Sequence, residues 1–282
     1  MYLPKNNKTD FVVERHKIKV PTLKYIRIKE KGYIPTDSKV TSATLSQKAD
    51  KFYISVLVDE NKKETKKEQE FNSKPYSAGI GIDLGIKDLA IVSRIDKPFG
   101  NINKTKEVKR LEKRLKREQR CLSRKYEARK KKGNKTITSF SNINKQIIKV
   151  QIIHQSIYNI RTDYINKVVF AVVKTKPRFI TIENLNVRGM MKNRHLSKAI
   201  AGQKWYEFKT KLKNKCKKHK IELRLVSSFF PSTKKCSGCD NIKQDLTLKD
   251  RVYICACCGL VICRDKNSSV NLERADKYEI IA

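Results

Sequence analysis

Apolar and polar residues alternate over residues 11–60. HKIKVPTLKYIRIK sets Ile18, Val20, Ile26 and Ile28 at even spacing, and KFYISVLVD does the same with Phe52, Ile54, Val56 and Val58. Successive side chains of a strand point to opposite faces, so this period predicts half-buried strands. Turn-forming stretches such as KGYIPTDS separate them. A small β-barrel or twisted sheet is expected over 1–60. Residues 61–77, NKKETKKEQEFNSKPYS, are dense in charge and poor in apolar positions, and read as a linker.

At 78–93 the pattern becomes two continuous apolar runs, AGIGIDLGIKDLAIVS, which predict a hairpin of buried strands. From residue 104 the period lengthens. Val108, Leu111, Leu115 and Leu122 mark a thin helical stripe over 104–131. Gly133-Asn134 interrupts it. A second helix over 141–175 gathers Ile143, Ile147, Val150, Ile157, Tyr164 and Val168 on one face, so 104–175 reads as an antiparallel helical hairpin. Pro177 closes it. RFITIENL is a buried strand, 203–220 a helix with Trp205, Phe208 and Leu212 inward, and IELRLVSS a last strand. This order is α/β. It predicts a core at 78–230 that includes the hairpin, a cysteine-bearing insert at 231–262, and a closing segment at 263–282.

Composition changes the picture through charge. Lys and Arg number 65 against 28 Asp and Glu, a net charge of +37 over 282 residues. A compact body with that excess repels itself unless a polyanion neutralises it, so nucleic acid is the expected partner. An anionic membrane surface is the competitor, but the cations are spread along the whole chain and not gathered in one juxtamembrane cluster. The helix at 104–131 is the most basic stretch. Its four acids, Glu107, Glu112, Glu118 and Glu127, cannot neutralise its cations. Lys109, Arg110, Lys113, Arg114, Arg117, Arg120 and Arg124 are the candidate nucleic-acid contacts. The alternative is a solvated face with a packing stripe. No apolar leader segment and no 18-residue apolar run occur, which predicts a cytoplasmic protein, nucleoid-associated in a bacterial host.

Inside a cell, eight cysteines argue for metal or reduced thiols over disulfides. Cys236-x-x-Cys239 and Cys255-x-x-Cys258 stand fifteen residues apart. Two such knuckles can supply the four tetrahedral sulfurs of structural zinc; an iron–sulfur cluster or unrelated buried thiols are the alternatives. Asp240 and Gly259 occupy the bends that follow the two knuckles. Cys257 is a spare or an alternative ligand, Cys263 is spare, and Cys121 and Cys216 are structural.

Three acids sit in unusual settings: Asp83 in GIGIDLG, Glu183 in RFITIENLN, and Asp265 directly after the cysteine segment. Each alone has a plain reading, respectively a turn former, a strand-end cap, and an N-cap of a helix starting at Lys266. Converging, they would need divalent cations between them. Oxygen ligands beside a phosphate-binding surface favour Mg²⁺ or Mn²⁺ and two-metal hydrolysis of a phosphodiester. His16, His154, His195 and His219 show no clustering.

GIDLGIKDLA, TIENLNVRGMMKN, FFPSTKKCSGC, CACCG and RDKNSSVNL, in this order, resemble the TnpB proteins of IS200/IS605 and IS607-type insertion sequences and the related miniature Cas12f nucleases. The resemblance implies a RuvC-like core of RNase H fold, split in sequence, with a zinc-ribbon target-nucleic-acid-binding insert. It implies Asp83, Glu183 and Asp265 as catalytic, magnesium-binding acids and Cys236, Cys239, Cys255 and Cys258 as zinc ligands. It likens 11–60 to the later part of a wedge domain, and 104–175 to a helical insertion. It also implies DNA cleavage guided by an RNA from the transposon end. The chain departs from that pattern in three places. Cys263 stands where relatives often carry a second acid, Ser268-Ser269 replaces an alanine pair, and no N-terminal recognition lobe is legible. The expected function is an RNA-guided DNA endonuclease. The alternatives are a non-cleaving RNA- or DNA-binding remnant or regulator, a strand-transfer transposase, and a zinc-ribbon transcription-type factor.

Overall fold

The computed structural model describes residues 2–4, 11–34, 36, 39–59, 66–73, 76–131, 137–247 and 250–282. The chain divides into two units, one made of Met1–Glu64 with Lys113–Ser156, the other of Thr65–Glu112 with Ile157–Ala282.

The alternating N-terminal segment folds as expected into short strands: β1 (Tyr2–Pro4), β2 (Val12–Val13), β3 (Lys17–Val20), β4 (Lys24–Arg27), β5 (Lys39–Lys48) and β6 (Lys51–Asp59). They form two antiparallel sheets, ordered β1-β5-β6 and β2-β3-β4. Ile18, Val20, Val40 and Ala43 are buried in one cluster with Leu3, Phe11 and Val13, and Ile26, Ile54, Val56 and Val58 pack against it. Phe52, from the same alternation, ends 71% exposed at the start of β6.

In the second unit, helix α1 (Lys66–Ser73) precedes the hairpin β7 (Ile80–Leu84) and β8 (Asp88–Val92). Helix α1 corrects the linker reading of 61–77. Phe71 packs against the core and stacks on His219 with ring centroids 4.6 Å apart, so one aromatic anchors a charged stretch. Residues 61–65, 74 and 75 of that reading lie outside the described residues. Strand β9 (Phe99–Gly100), a 3₁₀ turn (Ile102–Lys104), α2 (Lys106–Lys131) and α3 (Ile137–Lys174) follow. The two long helices do not belong wholly to the core as expected, since residues 113–156 fall in the first unit. At 26 and 38 residues they run roughly 39 and 57 Å, longer than one small core can cover. Their joint includes a buried glutamine, Gln146, which donates to Glu118 Oε2 at 2.8 Å.

The chain returns through β10 (Phe179–Glu183), the short helices α4 (Val187–Met191) and α5 (Ser197–Gln203), α6 (Trp205–Lys218) and β11 (Glu222–Val226). It ends in the small hairpin β12 (Val252–Ile254) and β13 (Val261–Cys263), helix α7 (Arg264–Glu273) and β14 (Glu279–Ile280). The main sheet is mixed, ordered β14-β11-β10-β7-β8-β9, with β10 parallel to both β7 and β11. The fold class is thus α/β, as the element order predicted.

The sheet has two unlike faces. Ile80, Ile82, Ile180, Ile182, Leu223 and Leu225 alternate onto one face and join Val168, Val172, Trp205, Phe208 and Leu212 in the main core. The other face carries Gly81, Thr181 and Ser93 and receives α7. A Cβ on Gly81 would lie 2.0 Å from the Ser269 carbonyl oxygen. Only glycine lets the helix approach this strand so closely. Among the described residues, no helix is long and apolar enough to cross a membrane.

Candidate functional site

Asp83 and Glu183 stand level on neighbouring parallel strands. Ile82 pairs with Ile182 in the β7–β10 register, so the next residue of each strand is an acid. Side-chain direction alternates with period two, so both carboxylates leave the sheet on the α7 face, about 4.8 Å apart in the backbone. Asp265 comes from the first turn of α7, whose N-cap is Cys263 and not Asp265. The N-cap reading of Asp265 is therefore corrected, and the helix starts two residues earlier than expected.

Electrostatics tie the three acids together. Burial first, and then the Asp265 and Glu183 charges, together push the Asp83 carboxyl up to about 7. Arg264 and the Ser268 hydroxyl pull it partly back; that hydroxyl is buried and makes no regular hydrogen bond. Burial also raises Glu183. Asp265 Oδ1 accepts from Arg264 Nε at 3.1 Å and Nη2 at 2.9 Å. Oxygen donors with too much mutual negative charge fit a hard divalent cation better than any single side chain.

The cysteines gather more tightly. Among the described residues, Cys236, Cys239, Cys255 and Cys258 place their sulfurs within 4.8 Å of one another. Cys236 Sγ lies 3.6 Å from Cys258 Sγ, and Cys239 Sγ lies 3.6 Å from Cys255 Sγ. A tetrahedron with bonds of about 2.3 Å has edges of about 3.8 Å, so the set fits zinc. The two knuckles repeat one another. Cys236 N–H donates to Asn241 O and Cys255 N–H to Leu260 O, while Asp240 N–H and Gly259 N–H return to the first cysteine's carbonyl. Asp240 and Gly259 take φ of +62° and +71°, so the expected bends are present and the first tolerates a side chain. Backbone N–H groups of Cys258 and Cys257 lower the Cys255 thiol to about 6, while burial and the neighbouring sulfurs hold Cys236, Cys239 and Cys258 up, so the four crowded sulfurs cannot all ionise without a cation. Cys257 and Cys263 are exposed and outside the group, and Cys216 is fully buried. Among the described residues, Tyr253, with partial help from Leu246, Leu260 and Ile262, forms the apolar core beside Cys236 and Cys255.

Helix α7 joins the two clusters through residues the sequence reading passed over. Buried Asn267 accepts from Ser237 N–H at 2.9 Å and donates to Lys235 O at 2.7 Å. One turn later, Asn271 donates to Ser232 O at 2.8 Å and Lys235 O at 2.6 Å. The signal was available: two asparagines four apart inside a helix are poor helix formers that need another reason. On the sheet side, Lys266 donates to Val92 O and Ile95 O, each at 3.0 Å, pinning the turn that carries Asp265.

The proposed nucleic-acid contacts Lys109, Arg110, Lys113, Arg114, Arg117, Arg120 and Arg124 are all exposed on α2. One of that helix's four acids is engaged elsewhere, since Glu112 pairs with Arg161 at 3.2 Å and Lys198 at 3.6 Å. Glu118 is shared between Gln146 and, at 3.8 Å, Arg117 of the same helix.

Residues 53–194 match the OrfB_IS605 family, described as "Probable transposase", over half of the chain. The chain belongs to the OrfB_IS605 family. Residues 205–272, from α6 to α7, match the Cas12f1-like TNB domain. This OrfB_IS605 chain is 30% identical over 241 residues to a Streptomyces pristinaespiralis protein named "Putative RNA-guided DNA endonuclease", covering 85% of this chain and 54% of that protein. It is 28% identical over 276 residues to "Putative RNA-guided DNA endonuclease InsQ" of Escherichia coli (strain K12), covering 92% and 62%. The chain therefore spans little more than half the length of these curated relatives. Its fold is similar to a chain of a solved Cas12f1-sgRNA-target DNA complex, with TM-score 0.55 at 15% identity, over 88% of this chain and 48% of that one.

Proposed function

We propose that the chain carries the nuclease half of an RNA-guided DNA endonuclease, with an RNase H-like, RuvC-type core and a zinc-ribbon insert. The observation that carries this reading is the meeting of Asp83, Glu183 and Asp265, from three distant stretches of sequence, at one end of the mixed sheet. Asp83 and Asp265 would hold divalent cations, and Glu183 would hold one and orient the attacking water. Magnesium or manganese bound there would neutralise the acids and stabilise the charge developing on the cleaved phosphodiester. Arg264 keeps Asp265 in place before any cation arrives. The four cysteines would hold structural zinc, and the exposed cations of α2 would lie along phosphates, making binding steeply salt-dependent. The relatives named as RNA-guided endonucleases support DNA and a guide RNA as partners.

The test uses the full chain purified with its bound RNA. DNA complementary to the sequenced RNA should be cut in Mg²⁺ and left intact without it. Asp83→Ala should abolish cutting; unchanged cutting would overturn the assignment.

A further inference from the structure

Tyr206, Lys209 and Lys213 recur on α6 at i, i+3 and i+7, so they share one face. That face forms a wall of a cleft of about 670 Å³, lined opposite by Glu183 and Arg188 from the chain at and beyond the end of β10. Tyr206 is 77% exposed, so its ring is offered to whatever enters. Trp205 also lines the cleft. It is only 3% exposed, and its indole N–H has no hydrogen-bond partner. A buried donor left unpaired is costly and calls for an acceptor. Lys209 is held toward the opposite wall by a 3.0 Å bond to Asn184 Oδ1. The three cations of this lining outnumber its two acids, Glu183 and Glu279.

We infer that this cleft is a subsite for one or two unpaired nucleotides of the strand being cut, an inference that rests on the nuclease reading above. An exposed aromatic ring with cations one and two turns along is the arrangement that stacks a base and pairs its flanking phosphates. Tyr206 is the stacking platform, and Lys209, Lys213 and Arg188 take the phosphates. The cleft has the size of a small-ligand site, which admits a nucleotide and excludes a duplex. Glu183 is shared by the cleft lining and the acid cluster, so a strand whose phosphate reaches the acids on the α7 face would turn round the end of β10 to set its next nucleotide on Tyr206.

Trp205 is the only tryptophan in the chain, so its fluorescence reports on this cleft alone. The zinc-loaded full chain is titrated with tetrathymidylate in magnesium-free buffer, where no cutting occurs. A saturable change in tryptophan emission is expected, with none from a blunt, fully paired DNA hairpin closed by a tight loop. Tyr206→Ala should weaken binding about tenfold, and Tyr206→Phe should retain it. Lys213→Ala should lower the salt dependence by about one phosphate contact. Emission that stays flat with tetrathymidylate, or a Tyr206→Ala chain that binds as well as the parent, overturns the subsite. Asp83→Ala separates the two readings, because it should lose cleavage and keep the emission change. A flat emission with cleavage still dependent on Asp83 removes the cleft alone. Normal cleavage by Asp83→Ala with the emission change intact removes the catalytic assignment alone.

Discussion

The four cysteines lie between positions 236 and 258, whereas the three acids lie between 83 and 265. Each cysteine pair is shaped by its own short turn, with its own hydrogen bonds and one left-handed residue. No acid has such a local frame. Asp83 and Glu183 are brought level by strand register, and Asp265 reaches them only because Gly81 lets α7 lie against β7. The sulfurs sit as close as a shared metal requires. The carboxylates meet only through charge felt at Asp83, and Asp265 rests on an arginine. A local motif can assemble a ligand set by itself; a dispersed one depends on the whole sheet.

The strongest way to break this contrast is to remove the sulfurs. Cys236→Ser with Cys255→Ser should release the metal and unfold 231–262, because metal binding contributes on the order of 10 kcal/mol to folding a ribbon with so small a core. Zinc content and proteolysis confined to that segment are the readouts, and circular dichroism of the main sheet should persist. Next in size are the acids. Glu183→Gln or Asp265→Asn should reduce cleavage by roughly a thousandfold or more while zinc content stays unchanged, since the acids act in the reaction and not in the ribbon. If either substitution also strips zinc, the two clusters are not independently assembled.

Gly81→Ala attacks the acids through the fold alone. The new Cβ would strike backbone, which cannot swing aside, so the cost should reach about 3 kcal/mol, read as a lower Tm, with cleavage lost although every acid remains. The last effect, of similar size, is a pH dependence. Asp83 has a folded-state pKa of about 7, above its ordinary 3.8, so the folded chain keeps this proton longer than the unfolded one. On this group's account stability is greatest below about pH 4, declines as pH rises toward 7, and is flat above. Asp83→Asn should remove that decline, raising Tm at pH 8 in magnesium-free buffer by a few degrees and leaving it nearly unchanged at pH 4. An equal shift at both values would sink the coupling.

Much of the fold was legible because periodicity is local. The apolar runs around Asp83 and the helix faces of Phe208 and Leu212 each needed only neighbours along the chain. The linker reading failed at Phe71, one aromatic whose partner His219 lies far away in sequence. The hairpin was assigned to one unit because pattern gives a helix its length but not its partners. The alternative of Asp265 as a cap failed because the turn of β13 into α7 depends on pairing with β12.

By itself the sequence determined the paired cysteine knuckles and the basic helix, since residue type and short spacing carry that chemistry, and it singled out the three acids by their settings and a family resemblance. Only the tertiary structure decided that two asparagines of α7 clasp the first knuckle and the chain leading into it while the same helix brings the Asp265 charge to bear on Asp83. It also decided that Tyr206, an ordinary residue in the sequence, faces a cleft beside Glu183. Those relations join groups far apart along the chain, and strand register and close helix packing, which no local pattern encodes, bring them together.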